Sequence, residues 1–589
     1  MTCSLIASRL VSMTFIPMLG YYLLRGRREP SIEERRVSGF GGWYYRIGGW
    51  AIDRRWRVLA ASMALLVLSF AVGGGLKQQF FPFERQYLSF VNVWLPEDAP
   101  VSATARAVEQ AEAVLRQVAE EYASPRRGGE PVLRSLTSWV GGGSPRYWLS
   151  SNPEPNQPNY GHILIQVADK EDTERLIPAW QRALDTRVAG ATIDVRRLET
   201  SAPVGIPVAI RVSGNDLVTL RQQAAKLKQA LSATGIAARV RDDWGEDALS
   251  LDLKIDHDKT ALAGLTQLDV ARAMSAALAG VQMGAFHDGD RALPIVLRLA
   301  MDERARLSDL SNLYVSSGSG ETRTPLSQLA RADYRLQPAR IGRYQQFRTI
   351  TVMRFAENGR LPSEVLTAAQ PGIRQIESRL PPGFRMEIAG EYKEQMKGFG
   401  QLSVVMLISV LCIFFALVVQ FRHAVKPLIV FAAIPFGIGG ALVGLAIMGA
   451  PFGFMAFLGV ASLIGVIVSH IIVLFDFIEK RHEQGAPMRE SLLDAGILRL
   501  RPVLITVGAT VIALIPLALN GGPLWEPLCY AQIAGLTVST LITLVLVPVV
   551  YAIFVLDLKW VKWKHPDESE ERPTVAATGA ALQLASAGD

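Results

Sequence analysis

The chain has 589 residues, of which 50% are hydrophobic and 20% are charged, and its formal net charge is +7. Its apolar residues form uncharged runs near the start and after residue 400, whereas residues 77–397 have an ordinary soluble composition. This distribution excludes a purely water-soluble protein. The positive charges flank the apolar runs, which is typical of membrane topology and argues against nucleic-acid binding.

Seven apolar runs are long enough to cross a bilayer, which takes roughly 20 residues of helix. The first run carries Arg9 and lacks a basic start and a cleavage site, so it resembles a helix entered part-way and not a signal peptide. Cys3, Cys412 and Cys529 lie in these runs and allow neither a disulfide framework nor a zinc site. The predicted spans are residues 2–24, 58–76, 400–421, 427–448, 454–478, 502–520 and 527–556.

The loops between the predicted spans differ in their content of Lys and Arg. The link 25–57 and the segments after the third, fifth and last spans are basic, whereas the turns 448–453 and 520–526 contain no Lys or Arg. By the positive-inside rule the basic loops are cytoplasmic. Residues 77–397 are therefore predicted to lie outside the cytoplasmic membrane.

The segment 77–397 indicates two copies of one αβ module. Both copies follow the βαββαβ order, and the second is interrupted at its midpoint by an insertion with a helix near 267–278. The predicted fold is an α-helical membrane bundle plus an α+β domain of two ferredoxin-like modules. The predicted strands are 87–95, 131–140, 160–168, 192–197, 206–212, 236–241, 348–355 and 384–389, and the helices are 101–122, 173–188, 216–232 and 362–379.

Several short sequences are distinctive. In the later helices they are Gln420-Phe421-Arg422, Ile434-Pro435-Phe436-Gly437, Gly465 to Leu474 before Asp476, and Arg499-Leu500-Arg501-Pro502 through Thr506. In the polar segment they are Trp139 to Tyr147, Asp256-His257-Asp258-Lys259 and Asp288-Gly289-Asp290-Arg291. Together with the order of one helix, a large αβ loop and five helices, these sequences resemble the C-terminal half of a resistance-nodulation-division (RND) efflux permease of the hydrophobe and amphiphile type.

The resemblance implies that the first five helices and the first large loop of a complete permease are missing. It implies a multi-pass protein of the bacterial inner membrane with its large domain in the periplasm and without a cofactor. Its implied partners are the missing N-terminal half, two further copies in a homotrimer, a periplasmic adaptor protein and an outer-membrane channel. The implied segments are a helix remnant 1–24, a cytoplasmic link 25–57, a span 58–76, porter module one 77–200, porter module two 201–245 with 345–397, a docking subdomain 246–344, five spans within 398–556 and a cytoplasmic tail 557–589.

Proton-driven export needs a group inside the membrane that binds and releases a proton. The last five predicted spans contain one carboxylate, Asp476 at a cytoplasmic end. The family's proton-carrying aspartates lie on a helix that is missing here, and the resemblance implies that Arg499 and Thr506 assist them. Ser469 stands where relatives carry Lys or Asn. The adjacent His470 could titrate instead, or it could be a neutral, hydrogen-bonded histidine.

Two groups of side chains are predicted to bind substrate in the porter cleft. Aromatic and apolar residues surround the glycine turn 141–143, as a cleft for amphiphiles requires, although ordinary strand packing also explains them. Two arginines end the last strand of module one and would favour an anionic amphiphile, unless they only solvate the strand end. The predicted substrate residues are Leu136, Trp139, Tyr147, Trp148, Arg196 and Arg197.

The leading function is thus half of a proton-driven exporter of drugs or amphiphiles, and the alternative is an inactive or regulatory fragment of one. Copper or silver export is disfavoured because residues 87–197 contain no Met and one histidine, His162. A membrane enzyme is disfavoured because no G-x-S-x-G or H-E-x-x-H sequence is present. Two structural predictions complete the set: close helix packing at Gly440 and Gly444, and an amphipathic surface helix at 487–500.

Overall fold

A computed structural model describes residues 2–23, 31–37, 39–82, 85–126, 131–148, 151–198, 206–235, 237–300, 313–316, 323–356, 360–484 and 486–560. The chain divides into two compact units. The membrane unit comprises both ends, Met1–Glu84 and Lys393–Asp589, and the middle unit is Arg85–Tyr392. Arg25, Arg27 and Arg28 of the predicted basic link, and the predicted tail from residue 561 onward, lie outside the described residues.

The membrane unit begins with four helices: α1 Thr2–Leu23, α2 Ile32–Val37, α3 Gly39–Asp53 and α4 Arg55–Gly74. Sequence analysis assigned no elements to the link that contains α2 and α3. The helix α3 has five glycines, although glycine disfavours a helix by about 1 kcal/mol per residue. Tertiary packing explains the difference. A Cβ atom at Gly48 would lie 2.8 Å from Cδ2 of Leu493, so the missing side chain allows close contact.

The middle unit begins with module one, which has two helices on one face of a four-stranded sheet. Its strands are hydrogen-bonded in the order β2-β3-β1-β4, with every neighbouring pair antiparallel. The helices and the sheet enclose an apolar core that contains Leu115, Ile163 and Trp180, and the indole of Trp180 donates to the carbonyl of Leu115 at 3.1 Å. The elements are β1 Leu88–Trp94, α5 Val101–Arg126, β2 Leu133–Val140, β3 Tyr160–Val167, α6 Lys170–Arg187 and β4 Thr192–Arg197.

Module two and its insertion follow in the chain. The strands of module two are ordered β6-β14-β5-β15, again all antiparallel, which is the arrangement of module one with β14 in the place of β3. The elements are β5 Val208–Ser213, α7 Leu217–Ser232, β6 Ala237–Asp242, β7 Asp247–Ile255, α8 His257–Leu262, α9 Gln267–Leu278, β8 Val281–Asp288, β9 Arg291–Leu297, β10 Tyr314–Ser316, β11 Arg323–Pro325, α10 Leu326–Leu329, β12 Ala330–Pro338, β13 Arg343–Tyr344, β14 Phe347–Ala356, α11 Pro362–Glu377 and β15 Arg385–Gly390.

The insertion between β6 and β13 has a small core of its own. Val270 on α9, Val315 on β10, and Leu326 and Leu329 on α10 are buried together. The helix α9 occupies the predicted residues because Thr266 caps it: its hydroxyl accepts from the backbone of Asp269, whose carboxylate accepts from the backbone of Thr266.

The membrane unit resumes with α12 Glu391–Phe421, α13 Lys426–Phe431, α14 Ile434–Ile447, α15 Phe454–Glu483, α16 Met488–Asn520 and α17 Gly522–Ala552, which a π-helical turn Ile553–Asp557 follows. Among the described residues, seven stretches are long and apolar enough to cross a membrane, and they correspond to the seven predicted spans. The close packing predicted at the GxxxG pair is present. Cβ atoms at Gly440 and Gly444 would lie 2.7 Å and 2.2 Å from the Cβ atoms of Val538 and Ala534.

The helix predicted at 487–500 is present, but it is not a separate surface helix: these residues form the first turns of the single helix α16 and are largely buried. Asp494 is fully buried and holds two arginines. Nε and Nη2 of Arg36 on α2 each donate to its carboxylate at 2.8 Å, and Nη2 of Arg481 on α15 donates at 3.1 Å. The segment therefore packs against the link helix α2, where sequence analysis expected an exposed face.

Candidate functional site

A cleft of about 960 Å³ lies within the middle unit, lined by residues of both modules. The alternation of side chains between the two faces of β1 explains which residues form one wall of the cleft. Val91 and Val93 are fully buried against the helices, whereas Phe90, Asn92 and Trp94 lie on the opposite face and line the cleft. The sheet of module one thus presents one face to its core and the other to the cleft.

Strand pairing brings a polar and aromatic set onto the cleft face. Trp94 is opposite Tyr160, Asn92 is opposite His162, and Phe90 is opposite Arg196 on the other neighbouring strand. The guanidinium group of Arg196 lies over the ring of Phe90, 5.5 Å from its centroid. The wall therefore combines flat apolar rings with a permanent positive charge.

His162 is the centre of a buried hydrogen-bond network. Its Nδ1 lies 3.1 Å from Oδ1 of Asn92, which also accepts from the hydroxyl of Tyr160 at 2.8 Å. Its Nε2 lies 3.4 Å from the hydroxyl of Tyr147. Burial lowers the pKa of His162 to about 4 and raises the pKa of Tyr147 to about 12, so the imidazole is neutral and the phenol is protonated at physiological pH. Since both ring nitrogens have partners, His162 is poorly placed to bind a metal ion.

The charges of three arginines act on the carboxylate of Glu154, which lines the cleft. Arg241 stacks over the ring of Trp94 at 5.0 Å and lies 3.8 Å from Asp194, and Arg340 donates to Oε1 of Gln157 at 3.5 Å. Burial raises the pKa of Glu154, while the charges of Arg340, Arg241 and Arg196 lower it. Burial also lowers the pKa of Arg241. Each guanidinium group is a source of several N–H donors.

The glycine turn holds the loop that carries Glu154. The backbone N–H of Gly143 donates to the carbonyl of Glu154 at 3.1 Å, and Gly141 has a φ of +80°, which favours glycine. A Cβ atom at Gly143 would lie 2.6 Å from the backbone N and O of Glu154. The turn thus has a defined role: it fixes this loop against the end of β2.

The six predicted substrate residues occupy different places. Tyr147, Arg196 and Arg197 line the cleft, and Arg197 also pairs with Glu174 at 3.1 Å. Trp139 packs beside His162, with 5.8 Å between ring centroids, while Trp148 is absent from the described lining. Leu136 packs against the core on the helix side, because it has the opposite strand parity to the cleft residues.

The lining residues that sequence analysis missed include Asn92, Trp94, Glu154, Tyr160, Arg241 and Arg340, together with four further carboxylates, Glu97, Asp242, Asp243 and Glu246. Alternation along β1 and β3 could have indicated the first, second and fourth of these, because the apolar core positions of those strands set the face of every other side chain. No local signal in the sequence distinguishes Arg241 or Arg340 from other arginines.

In the membrane unit, a cavity of about 20 Å³ brings together two of the four predicted relay residues. His470 on α15 and Arg499 on α16 line it with Ser539, Thr540 and Thr543 of α17, which sequence analysis missed. Among the described residues, Nε of Arg499 and Oγ1 of Thr543 are buried without a hydrogen-bond partner.

The other two predicted relay residues lie outside this cavity. Ser469 and Thr506 are exposed, and their hydroxyls donate to carbonyls of their own helices at 2.8–3.2 Å. Across the described part of the chain, no group of three or more His, Cys, Asp or Glu side chains could hold a metal ion.

A family model described as the AcrB/AcrD/AcrF family matches residues 1–555. The chain belongs to this family of RND permeases. Membership confirms the resemblance inferred from the motifs, and RND permeases as a family are transporters and not enzymes. RND permeases are inner-membrane proteins, which agrees with the seven apolar stretches.

Two curated relatives of this RND chain are cation transporters by name. The "Cation efflux system protein CzcA" of Alcaligenes sp. is 28% identical over 421 residues, which are 68% of this chain and 39% of that protein. The "Cobalt-zinc-cadmium resistance protein CzcA" of Cupriavidus metallidurans is 30% identical over 366 residues, which are 61% of this chain and 34% of that protein. The chain thus spans less than half the length of these relatives, and neither name supports the multidrug type that sequence analysis expected.

Two solved structures share the fold. Both are crystal forms of a heavy metal efflux pump, with TM-scores of 0.71 and 0.70 and 20% identity to this RND chain. The match covers 87% of this chain and 52% or 51% of the solved chain. At this identity the likeness establishes the fold of helices and antiparallel sheets and leaves the cargo open.

Proposed function

We propose that this chain forms one half-unit of an RND efflux transporter and that its cargo passes through the cleft of the middle unit. The observation that carries the proposal is a large cleft between two similar αβ modules in a chain that the family model matches almost end to end. Large, partly apolar clefts with a few convergent polar groups are the usual form of small-molecule sites.

Family membership suggests what each part of the chain corresponds to in a permease. The shared strand order supports the assignment of both modules as ferredoxin-like porter modules, and the insertion with its separate core is proposed as the docking subdomain. Positive charge in the loops supports a periplasmic middle unit. By family likeness the working assembly is a trimer with a periplasmic adaptor protein and an outer-membrane channel.

Two classes of cargo compete. The names of the curated relatives favour a divalent metal cation. Against this class, the described cleft shows no cluster of metal ligands, and His162 is already hydrogen-bonded at both nitrogens. An acidic aromatic amphiphile is the second class, and it is favoured by the rings of Phe90, Trp94 and Tyr160 beside three arginines.

Transport assays can decide both the function and the cargo. The chain would be expressed in an efflux-deficient bacterium, alone and together with the N-terminal half of a family permease, and the accumulation of Zn²⁺, Cd²⁺ and an acidic fluorescent dye would be measured. Export is expected only with both halves present. Trp139→Ala and Arg196→Ala are expected to reduce dye export, since both residues lie at the cleft face. Proton-driven export by the chain alone would refute the half-unit proposal, and absence of any export with both halves would favour the inactive-fragment alternative.

The cavity in the membrane unit is proposed to support proton coupling by facing the carboxylates of the other half. His470 and Arg499 lie together with buried hydroxyl groups, as a polar site inside the membrane requires. In the two-half system, His470→Ala is expected to reduce export strongly, and Ser469→Lys is expected to change it little because Ser469 is exposed. Unchanged export with His470→Ala would remove the histidine from the relay.

A further inference from the structure

Three buried N–H donors of the cleft region have no acceptor among the described residues. They are Nε1 of Trp94, Nε2 of Gln157 and Nε of Arg241. A buried donor without a partner is costly, and native proteins usually provide such a donor with an acceptor from the protein, from bound water or from a ligand. Each of the three therefore needs a hydrogen-bond acceptor.

These donors belong to one cluster built by both modules. Trp94 and Gln157 come from module one, and Arg241 and Arg340 come from module two or its border with the insertion. Arg241 lies over the ring of Trp94. Arg340 donates to the amide oxygen of Gln157, and the amide nitrogen of Gln157 has no acceptor among the described residues. Because the cluster spans both modules, any change in their spacing alters it.

The ion pair of Arg241 is longer than the ion pairs of other cations that line the cleft. Lys228 is 2.9 Å from Asp242, and Arg197 is 3.1 Å from Glu174, so these cations have ion-pair partners. Arg241 is only within 3.8 Å of Asp194 and makes no hydrogen bond through Nε. The cluster itself contains two arginines and is rich in N–H donors, which favours an oxyanion over a metal ion.

The protein itself places one carboxylate in this field. Glu154 is partly buried, and the charges of Arg340, Arg241 and Arg196 lower the pKa of its carboxyl against the effect of burial. Its loop is attached through the backbone of Gly143 and includes the exposed residues 152 and 153, so its side chain can withdraw without disrupting a strand. Glu154 thus occupies the position of an internal counter-ion.

We propose that the cluster of Trp94, Gln157, Arg241 and Arg340 binds an oxyanion group, such as a carboxylate, sulfonate or phosphate, on a cargo whose aromatic body packs against Trp94 and Tyr160. The negative charge of the bound group competes with that of the Glu154 carboxylate for the arginines. The role of this site in export rests on the proposed function, whereas binding itself does not require transport.

Binding to the purified full chain in detergent tests the site with two probes of nearly the same shape. The anionic probe is 1-anilinonaphthalene-8-sulfonate, and the neutral probe is N-phenyl-1-naphthylamine, which lacks the sulfonate. Arg241→Gln is expected to weaken sulfonate binding about tenfold or more, because a charged hydrogen-bond donor is lost, and to change binding of the neutral probe less than about twofold. The matched control is Arg134→Gln, at an exposed arginine of β2 in the same unit, which is expected to change neither.

Glu154→Gln provides an independent test of the site, which remains usable if the Arg241 variant is poorly folded. Removal of the internal carboxylate is expected to strengthen sulfonate binding several-fold, and excess Zn²⁺ is expected not to displace the probe. Equal effects of Arg241→Gln on both probes, weaker sulfonate binding by Glu154→Gln, or displacement by Zn²⁺ would each overturn the proposal. A chain that shows the expected binding but exports nothing would refute the proposed function alone, and a chain that exports Zn²⁺ without the expected binding would refute this site alone.

Discussion

Replacement of Asp494 by alanine is expected to reduce the stability of the membrane unit by about 2–4 kcal/mol. The carboxylate is fully buried and accepts three charge-assisted hydrogen bonds, two from Arg36 and one from Arg481. Removal of one partner from a buried ion pair usually costs about 3–5 kcal/mol. The side chains of Arg36 and Arg481 are 21% and 28% exposed, so water can solvate them in part and the expected loss lies toward the lower end.

The measurement is thermal unfolding of the purified chain in detergent, followed by intrinsic fluorescence at several scan rates. Asp53→Ala is the matched control. Asp53 pairs with Arg489 at 3.2 Å, also between a link helix and α16, but its side chain is 60% exposed. An exposed pair contributes about 0–1 kcal/mol, so this variant is expected to resemble the wild type.

The comparison of the two variants also tests the reasoning. If burial determines the contribution of an ion pair, the Asp494 variant unfolds at a clearly lower temperature than the Asp53 variant. Equal shifts for the two variants, or a wild-type unfolding temperature for Asp494→Ala, would show that the buried carboxylate is not what attaches the link helix α2 to α15 and α16.

Three further predictions concern packing, the glycine turn and pH. Gly444→Ala is expected to lower the unfolding temperature, at a cost of about 1–3 kcal/mol, because its Cβ atom would lie 2.2 Å from a side chain of α17. The control is Gly465→Ala, which has open space around it and is expected to leave the unfolding temperature unchanged. Gly143→Ala is expected to displace the loop of Glu154, which faster hydrogen exchange of residues 151–157 would reveal. Burial lowers the pKa of His162 to about 4, so protonation of the imidazole favours the unfolded state. The contribution of the neutral His162 side chain to stability is therefore present above pH 6.5 and is lost as the pH falls toward 4. The stability difference between wild type and His162→Gln, measured from unfolding temperatures, is therefore expected to decrease across that range, and a constant difference would contradict the lowered pKa.

Much of the fold could be predicted because local signals and tertiary structure agree. The helix α9 begins where the capping box of Thr266 and Asp269 places it, and the alternating apolar positions of β1 set its core face. The misses occurred where packing overrides local preference. The glycines of α3 disfavour a helix in isolation, and their small size is what allows Gly48 to approach Leu493.

The candidate site was less accessible to prediction from the sequence. Arg196 and Tyr147 were identified because each lies near a recognisable feature, a strand end and a glycine turn. Trp94 and Arg241 were not, although they stack at 5.0 Å, because they are far apart in the chain and meet only where the two modules face each other. Strand pairing across one sheet can be inferred from periodicity, but the apposition of two sheets has no local signature.

The same two-faced construction explains why a shared fold does not identify the cargo. In module one, the residues that fix the fold, such as Val91, Val93 and Trp180, lie on the helix side of the sheet, and those that would contact a substrate lie on the other side. Substitutions on the cleft face change the chemistry of the cleft and leave the apolar core intact. A protein with 20% identity to a heavy metal pump can therefore have the same fold with guanidinium groups lining its cleft. Its cargo should be inferred from the side chains of the cleft face, tested with charged and neutral probes.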